Sequence, residues 1–480
     1  MASAAPPQKG NFAACLERRP IWVVAIFGLA LLLAGNWMLP LIDRDEPRFA
    51  EASREMLQRQ DFILPHFNGA YRFDKPPLIY WCQAAAYAVL GQNEFAARLP
   101  SAIFAVATGL LLAFWGKRLG NPRLGLFAGL IFVTCLQVLV HGRLAVADMP
   151  MVFFFTAAVW SGWEMTRPDS KALWWWIFYG SLAFGFLAKG PEAWLPLAGL
   201  WIGRWRRPAL FRLPLAETSL GILCSLGVVA LWAVPALIQT HGEFFTVGIG
   251  RHVIHRSFGV MEGHGLGGWL GYVALLPFFF LTFFLSFFPW SIWVPSALLK
   301  RNPDNLAWFL LTQAALVFGV FTVVATKLPH YTLPAFPCLA LWLAFRIDAR
   351  KIVCGVMFQV AILLAALFVF HWFNANLLAA NLWREAQPYI RPETRIASVQ
   401  FEEPSLVWEF RRVSTNDVEF MPLTQAASFW RQPGPRCLIL PTKDWDAIRL
   451  STPTNAVVLR AHGLDTASFH RWDMTAIIRP

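Results

Sequence analysis

The sequence predicts an all-α polytopic membrane protein carrying a small C-terminal α/β domain. Three observations carry that prediction. The 480-residue chain is 57% hydrophobic, holds 24 Trp and 42 Phe, and is only 15% charged, where a soluble domain has about 25% charged residues. Its apolar residues come in long blocks rather than amphipathic stripes, and blocks of about 20 match the thickness of a bilayer core. Its charges collect between the blocks and in the last hundred residues.

The apolar blocks place membrane helices near 21–42, 96–116, 124–142, 149–166, 172–188, 191–204, 218–240, 269–298, 305–325, 331–346 and 352–374. That is about eleven spans by the length criterion. The two blocks flanking Lys189 also fit one broken helix. The first block follows Lys9, Arg18 and Arg19, is too long for a signal-peptide core and has no small-residue cleavage site, so it reads as a retained helix entered from the cytoplasm. With that start, Lys117-Arg118, Arg167, Lys171, Arg204 to Arg207, Lys300-Arg301 and Arg346 to Lys351 all fall on the cytoplasmic side, as the positive-inside rule requires. The net charge of +12 is therefore a topological signal spread over loops. It forms no nucleic-acid-binding patch.

This topology divides the chain into a cytoplasmic tail (1–20), a transmembrane domain (21–375) with outer loops 43–95 and 241–268, and an outer domain (376–480). In the outer domain Ile396–Val399, Leu406–Phe410, Cys437–Leu440 and Ala456–Leu459 are strand-length apolar runs. Thr424–Arg431 and Asp444–Arg449 look helical, and the alternation suggests an α/β unit. The seven cysteines are scattered and contain no Cys-x-x-Cys; only Cys82 and Cys437 look exposed on the outer side, so no disulfide framework is expected.

The first outer loop opens Asp43-Arg44-Asp45-Glu46-Pro47-Arg48-Phe49-Ala50-Glu51. Asp45 suits a helix N-cap and Glu46-Pro47 a first turn. Phe49, Ala52, Met56 and Leu57 then recur at helical spacing to Arg59, which predicts an amphipathic helix at the interface. Carboxylates at the mouth of a membrane helix suit a base facing acceptors from outside. The loop closes on Tyr71-Arg72-Phe73-Asp74-Lys75-Pro76-Pro77-Leu78. The prolines fix entry into an apolar helix and hold Lys75 at its start, where it can meet a phosphate at headgroup depth or simply snorkel.

These two segments together resemble the first outer loop of the aminoarabinose transferase and protein O-mannosyltransferase superfamily, which has the GT-C fold. The likeness continues in order through Arg143-Leu144-Ala145-Val146-Ala147-Asp148-Met149-Pro150, Ala188-Lys189-Gly190-Pro191, Arg251 to Phe258 with Gly263-His264, and Lys327-Leu328-Pro329-His330-Tyr331. The resemblance implies transfer of a sugar from a polyprenyl (undecaprenyl) phosphate to a lipid, glycan or protein acceptor on the periplasmic face of the bacterial inner membrane, with a lipid A-like acceptor favoured. It implies a catalytic Asp45, beside Glu46, and a second carboxylate in Asp148. Lys75, Arg256, Lys327, Tyr331, Lys189 and Arg251 match its phosphate and donor-binding positions. Asp74 and His264 match positions where some relatives hold a structural metal, so a divalent ion such as zinc is considered there, with His252 or His255 as a third ligand. The chemistry itself needs no cofactor. Two other readings compete: a lipid-sugar transporter, whose charges would lie near the midplane of repeated halves, and an inactive assembly subunit that kept the fold.

Overall fold

The computed structural model describes residues 19–255, 268–300, 304–448 and 455–480. Helices occupy every apolar segment named above: α1 (Pro20–Leu33), α4 (Glu94–Arg118), α5 (Pro122–Val133), α6 (Leu136–His141), α7 (Asp148–Met165), α8 (Ala172–Lys189), α9 (Leu195–Arg206) and α10 (Leu215–Gln239). After Phe244–His255, which winds as a π-helix, come α11 (Gly268–Ala274), α12 (Phe278–Ser286), α13 (Val294–Leu298), α14 (Asn305–Val323), α15 (Phe336–Ala344) and α16 (Ala349–Asn374). Two helices, α2 (Asp45–Arg59) and α3 (Leu78–Leu90), belong to the first loop. Among the described residues, five helical segments are long and apolar enough to cross a bilayer. Not every block is one continuous helix: 124–142 breaks at Thr134-Cys135, and 269–298 is interrupted near Pro277 and again near Pro289, where the missing N–H and the ring disturb a helix. The chain is a multi-pass membrane protein.

Local chemistry explains the tight pairing of α4 and α5. Asn93 and Asn121 cap them, accepting from Ala96 N at 2.9 Å and Leu124 N at 3.0 Å. At their turn the backbones nearly touch: a Cβ on Gly116 would lie 2.2 Å from Gly125 N. Small residues permit such approach in a membrane, where packing replaces the hydrophobic drive between helices.

The outer domain is a five-stranded sheet in the order β4-β3-β5-β7-β6, built from β3 (Arg395–Val399), β4 (Val418–Met421), β5 (Arg436–Pro441), β6 (Val457–Leu464) and β7 (Arg471–Arg479); a two-stranded hairpin, β1 (His66–Phe67) and β2 (Ala70–Tyr71), lies in the first loop. β3, β4 and β5 are parallel, whereas β7 runs antiparallel to β5 and β6. Strand alternation sends Ile396, Cys437 and Ile439 to one face, packed with Leu378, Leu382, Leu406 and Phe410 of α17 (Leu378–Ala386) and α18 (Pro404–Phe410). It sends Ala397, Val399, Leu438 and Leu440 to the other, packed with Ala426, Phe429 and Trp430 of α19 (Leu423–Arg431); α20 (Thr442–Ile448) follows β5. Two expectations need correction. The run Leu406–Phe410 is helix rather than strand, because Pro404 opens a first turn and all its residues are buried. Cys437 is fully buried in a central strand, not exposed.

Helix α18 and the turn after it dock this domain onto the first loop. Arg411, 8% exposed, donates to Glu51 Oε1 at 2.8 Å and to Glu55 Oε1, two fully buried carboxylates on α2. Arg54 closes the group by pairing with Glu51. Trp408 stacks on Tyr87 of α3, with the Arg54 and Arg412 guanidinium groups 4.8 and 5.3 Å from its ring. The Asn68 side chain bonds both backbone groups of Val418 at 2.8 Å. At the start of the loop, Ser405 N donates to Asp43 Oδ1 at 2.8 Å and its hydroxyl to Oδ2, while Arg44 pairs with Glu403.

Replacing Arg411 with Met removes the cation shared by two buried carboxylates, leaving them only Arg54 and Arg59, and breaking a buried pair from one side costs about 3–5 kcal/mol. Thermal unfolding in detergent should show a lowered transition; an unchanged one would refute the clamp. Asp43 gives a second expectation. Desolvation under the docked domain pushes its carboxyl up to about 7, opposed by the Ser405 hydrogen bonds and reinforced by Glu403 and Asp465. A carboxyl pKa raised in the folded state favours the protonated form, so its stabilisation is fully present below the ordinary carboxyl value and is lost progressively as pH rises to about 7. Docking, followed by limited proteolysis around residues 375–395, should be tighter near pH 6 than near pH 8. Asp43→Asn should flatten that dependence; a wild-type profile already flat would contradict this origin.

Candidate active site at one end of the bundle

The cleft assembles from five chain segments that meet at one end of the helices. Asp45, Arg48 and Phe49 come from the first turns of α2; Arg72, Asp74 and Lys75 come from the end of the first loop. Val146, Ala147 and Asp148 lead into α7, Lys189 ends α8, and Leu328, His330 and Tyr331 precede α15. They line about 570 Å³ of space that is continuous with solvent.

Two ion pairs line this space, one buried and one half-buried. Lys189 Nζ lies 2.8 Å from Asp148 Oδ1 and 3.4 Å from Glu192, with Lys189 and Asp148 side chains 5% and 8% exposed. Arg72 reaches Asp74 at 2.7 Å, donates to the Tyr80 hydroxyl at 3.1 Å and lies over the Phe49 ring. Asp45 differs: it is exposed to the cleft and, among the described residues, makes no hydrogen bond or ion pair. The helix begins at Asp45 rather than after it, with Arg44 as the capping residue. The carboxylate is therefore not committed to a cap.

Glu46, expected beside Asp45 as a catalytic partner, faces away from the cleft. It is 1% exposed and accepts from Arg98 Nε at 2.7 Å, Arg98 Nη2 at 2.8 Å, Ala145 N at 2.8 Å and Ile42 N at 2.9 Å. Arg98 uses its remaining donors on the carbonyls of Asn36, Leu39 and Pro40, each at 2.8 Å. Lys327 is also turned from the cleft. Its ammonium caps the end of α14, donating to the carbonyls of Phe321, Thr322 and Val324 at 3.1, 2.6 and 2.6 Å, as cations at helix C-termini do. Tyr331 and Lys189 are in place, 5.2 Å from ring centre to ammonium. Arg256 and His264 lie outside the described residues. Arg251 sits in the π-helix, where only the backbone is described.

Arg48, Arg72 and His330 line the cleft although none was picked out beforehand for a site role. The signal was present for all three, since each stands inside one of the quoted motifs.

Asp74 is held by Arg72 rather than by a histidine, so its place as a metal ligand finds no support among the described residues. His141, Asp148 and His330 do gather, their ligand atoms within 4.8 Å of one another. Two imidazoles and a carboxylate suit a transition metal. The Lys189 ammonium, however, already occupies Asp148 Oδ1, and a divalent ion there would meet a like charge.

Residues 74–233 match the model of the dolichyl-phosphate-mannose-protein mannosyltransferase family. An undecaprenyl phosphate-alpha-4-amino-4-deoxy-L-arabinose arabinosyl transferase from Edwardsiella ictaluri is 32% identical over 338 residues, covering 66% of this chain and 58% of its own length. The same enzyme from Pseudomonas paraeruginosa is 28% identical, over 70% of this chain and 61% of its own. Over nearly its whole length the fold superposes on ArnT from Cupriavidus metallidurans bound to undecaprenyl phosphate, with a TM-score of 0.72, 16% identity and coverage of 97% and 98% of the two chains. The chain is similar to members of the aminoarabinose transferase and protein O-mannosyltransferase superfamily. The GT-C architecture expected of it is present from α1 to the outer domain. The chain spans only about three-fifths of the length of the two arabinosyl transferases.

The geometry separates two adjacent carboxylates by role, and stability measurements should separate them too. Asp45→Asn alters an exposed side chain and should leave the unfolding transition within about 0.5 kcal/mol. Glu46→Gln breaks a buried, fully bonded ion pair and should lower stability by about 3–5 kcal/mol. Equal effects of the two substitutions would overturn this division.

Proposed function

We propose that this protein is a glycosyltransferase that moves a sugar from a polyprenyl phosphate to a hydroxyl or phosphate acceptor at the periplasmic face of the bacterial inner membrane. A lipid A-like acceptor is the favoured one. One observation carries the reading: Asp45, a carboxylate with no hydrogen bond or ion pair among the described residues, shares a small cleft with Arg48, Lys75, Arg72 and Lys189. Such a set can hold a lipid phosphate while a base acts beside it.

In the reaction the acceptor oxygen attacks the anomeric carbon, the bond from that carbon to the phosphate oxygen breaks, and polyprenyl phosphate leaves with the electron pair. Attack opposite the leaving group inverts the sugar carbon. Asp45 accepts the hydroxyl proton, or orients an acceptor that is already anionic. Negative charge grows on the departing phosphate, where Arg48 and Lys75 oppose it. Asp148, neutralised by Lys189, is left to accept hydrogen bonds from sugar hydroxyls. The names of the relatives support an undecaprenyl carrier and an aminoarabinose-like sugar. The transporter reading finds less support: Asp148 is the first residue of α7 and Lys189 the last of α8, at helix ends rather than at a midplane.

Purified protein incubated with radiolabelled polyprenyl-phosphate sugars and membrane extract should release polyprenyl phosphate. Asp45→Asn should slow release by about 10²–10⁴-fold, the range for a positioned acid or base. Lys75→Met should weaken donor binding. No release from any donor, with uptake of label into liposomes instead, would favour transport and sink the enzyme reading.

A further inference from the structure

A second polar pocket lies at the opposite end of the bundle. Helix α8 joins the two sites: it ends on Lys189 in the cleft and starts just after Lys171. Eighteen residues of helix rise roughly 27 Å, close to the hydrocarbon thickness of about 30 Å. Helix α7 makes the same journey in reverse, from Asp148 to Met165. Helix α10 begins at the second pocket, and its last residue, Gln239, bonds Asp61 of the first outer loop. If the cleft sits at one headgroup layer, this pocket sits at the other.

The pocket holds about 630 Å³ of space open to solvent, between the turn 165–172 and the start of α10. Lys171 and Arg212 stand in its wall, exposed, and neither forms an ion pair among the described residues. Their neighbours are committed: Arg118 and Arg167 to Glu164, Arg204 to the Leu213 carbonyl, and Arg207 to Asn305. Tyr179 lines the wall as well, only 2% exposed, with its phenol beside Thr218. The Thr218 hydroxyl donates to the Pro214 carbonyl at 2.8 Å. Trp174, Trp175 and Trp176 cluster at this helix end, as aromatic residues do at a membrane interface. Leu173 and Trp176 of α8 and Leu215 and Leu220 of α10 point outward, 55–62% exposed, and offer an apolar surface for acyl chains.

We propose that this pocket binds the phosphate headgroup of an anionic phospholipid in the leaflet opposite the cleft. Glu217 shares the wall, so two cations face one carboxylate and the surplus is a single positive charge. That balance fits one phosphodiester better than a dianion. The lipid would seal the junction of α8 and α10 at the far end of the helix that presents Lys189.

Native mass spectrometry of the full-length protein can test this with phosphatidylglycerol, phosphatidylethanolamine, a polyprenyl phosphate and inorganic phosphate as separate probes. The wild type should retain one phosphatidylglycerol in preference to phosphatidylethanolamine. Lys171→Gln with Arg212→Gln should weaken that retention about tenfold or more, since each cation near the surface adds to anionic-lipid attraction. Tyr179→Phe should weaken it less. Both cations are exposed, so an unfolding transition like that of the wild type will show that the fold persists. Unchanged phosphatidylglycerol retention in the double variant would overturn the proposal, as would displacement by an equal concentration of inorganic phosphate. A polyprenyl phosphate adduct that survives the double substitution belongs to the cleft and agrees with the assignment. One lost there in preference to phosphatidylglycerol contradicts it. None of these outcomes depends on transferase activity.

Discussion

The structure depends on one buried ion pair, between Glu46 and Arg98. The five N–H groups of Arg98 meet two carboxylate oxygens and three carbonyls from the frayed end of α1. The same carboxylate accepts the backbone N–H of Ala145, three residues before Asp148. In one constraint the pair fixes the start of α2, the top of α4 and the approach to α7. Asp45 and Asp148, 103 positions apart in sequence, are thereby held in one cleft. A buried pair of this kind adds little net stability when complete. Its contribution is geometric: each partner is fully satisfied only when all three segments are in register.

Around that anchor the cleft sorts its charges. Asp148 is neutralised by Lys189 and Asp74 by Arg72. Neither pair has to be broken for a substrate to enter, since both line the wall. Asp45 remains open beside Arg48. The cleft thus offers an anion-accepting side and a proton-accepting side. Low exposure of the paired groups strengthens their fields, because little water screens them.

Much of this was legible in the chain itself. Block length gave the membrane helices, and the ordered motifs brought together Asp45, Asp74, Lys75, Asp148, Lys189 and Tyr331, all of which line the cleft. What was not legible follows a pattern. Glu46 and Lys327 carry the same charges as active-site residues, yet Glu46 is turned to Arg98 and two backbone N–H groups, and Lys327 to the carbonyls that end α14. Nothing in local sequence reports which way a side chain turns at a helix end. Leu406–Phe410 was ambiguous because five apolar residues fit a strand or one buried helical turn; Pro404 was the deciding signal. The role of Arg411 depends on a contact 356 to 360 positions away, which periodicity cannot reveal.

That last contact bears on how the protein is made. Helix α2 is among the first elements to emerge, and it carries Glu51 and Glu55 into positions where the finished molecule shows no exposure. Their counter-charge, Arg411, lies almost at the other end of the chain. Domains form in order during synthesis, so for most of translation these two carboxylates have only Arg54 and Arg59 of their own helix as counter-charges. The loop bearing Asp45 is braced by the C-terminal domain, so it can settle only after that domain has folded. Competence of the cleft is in this way a record that biogenesis has run to completion, and a truncated or misinserted chain would keep its motifs while lacking a site.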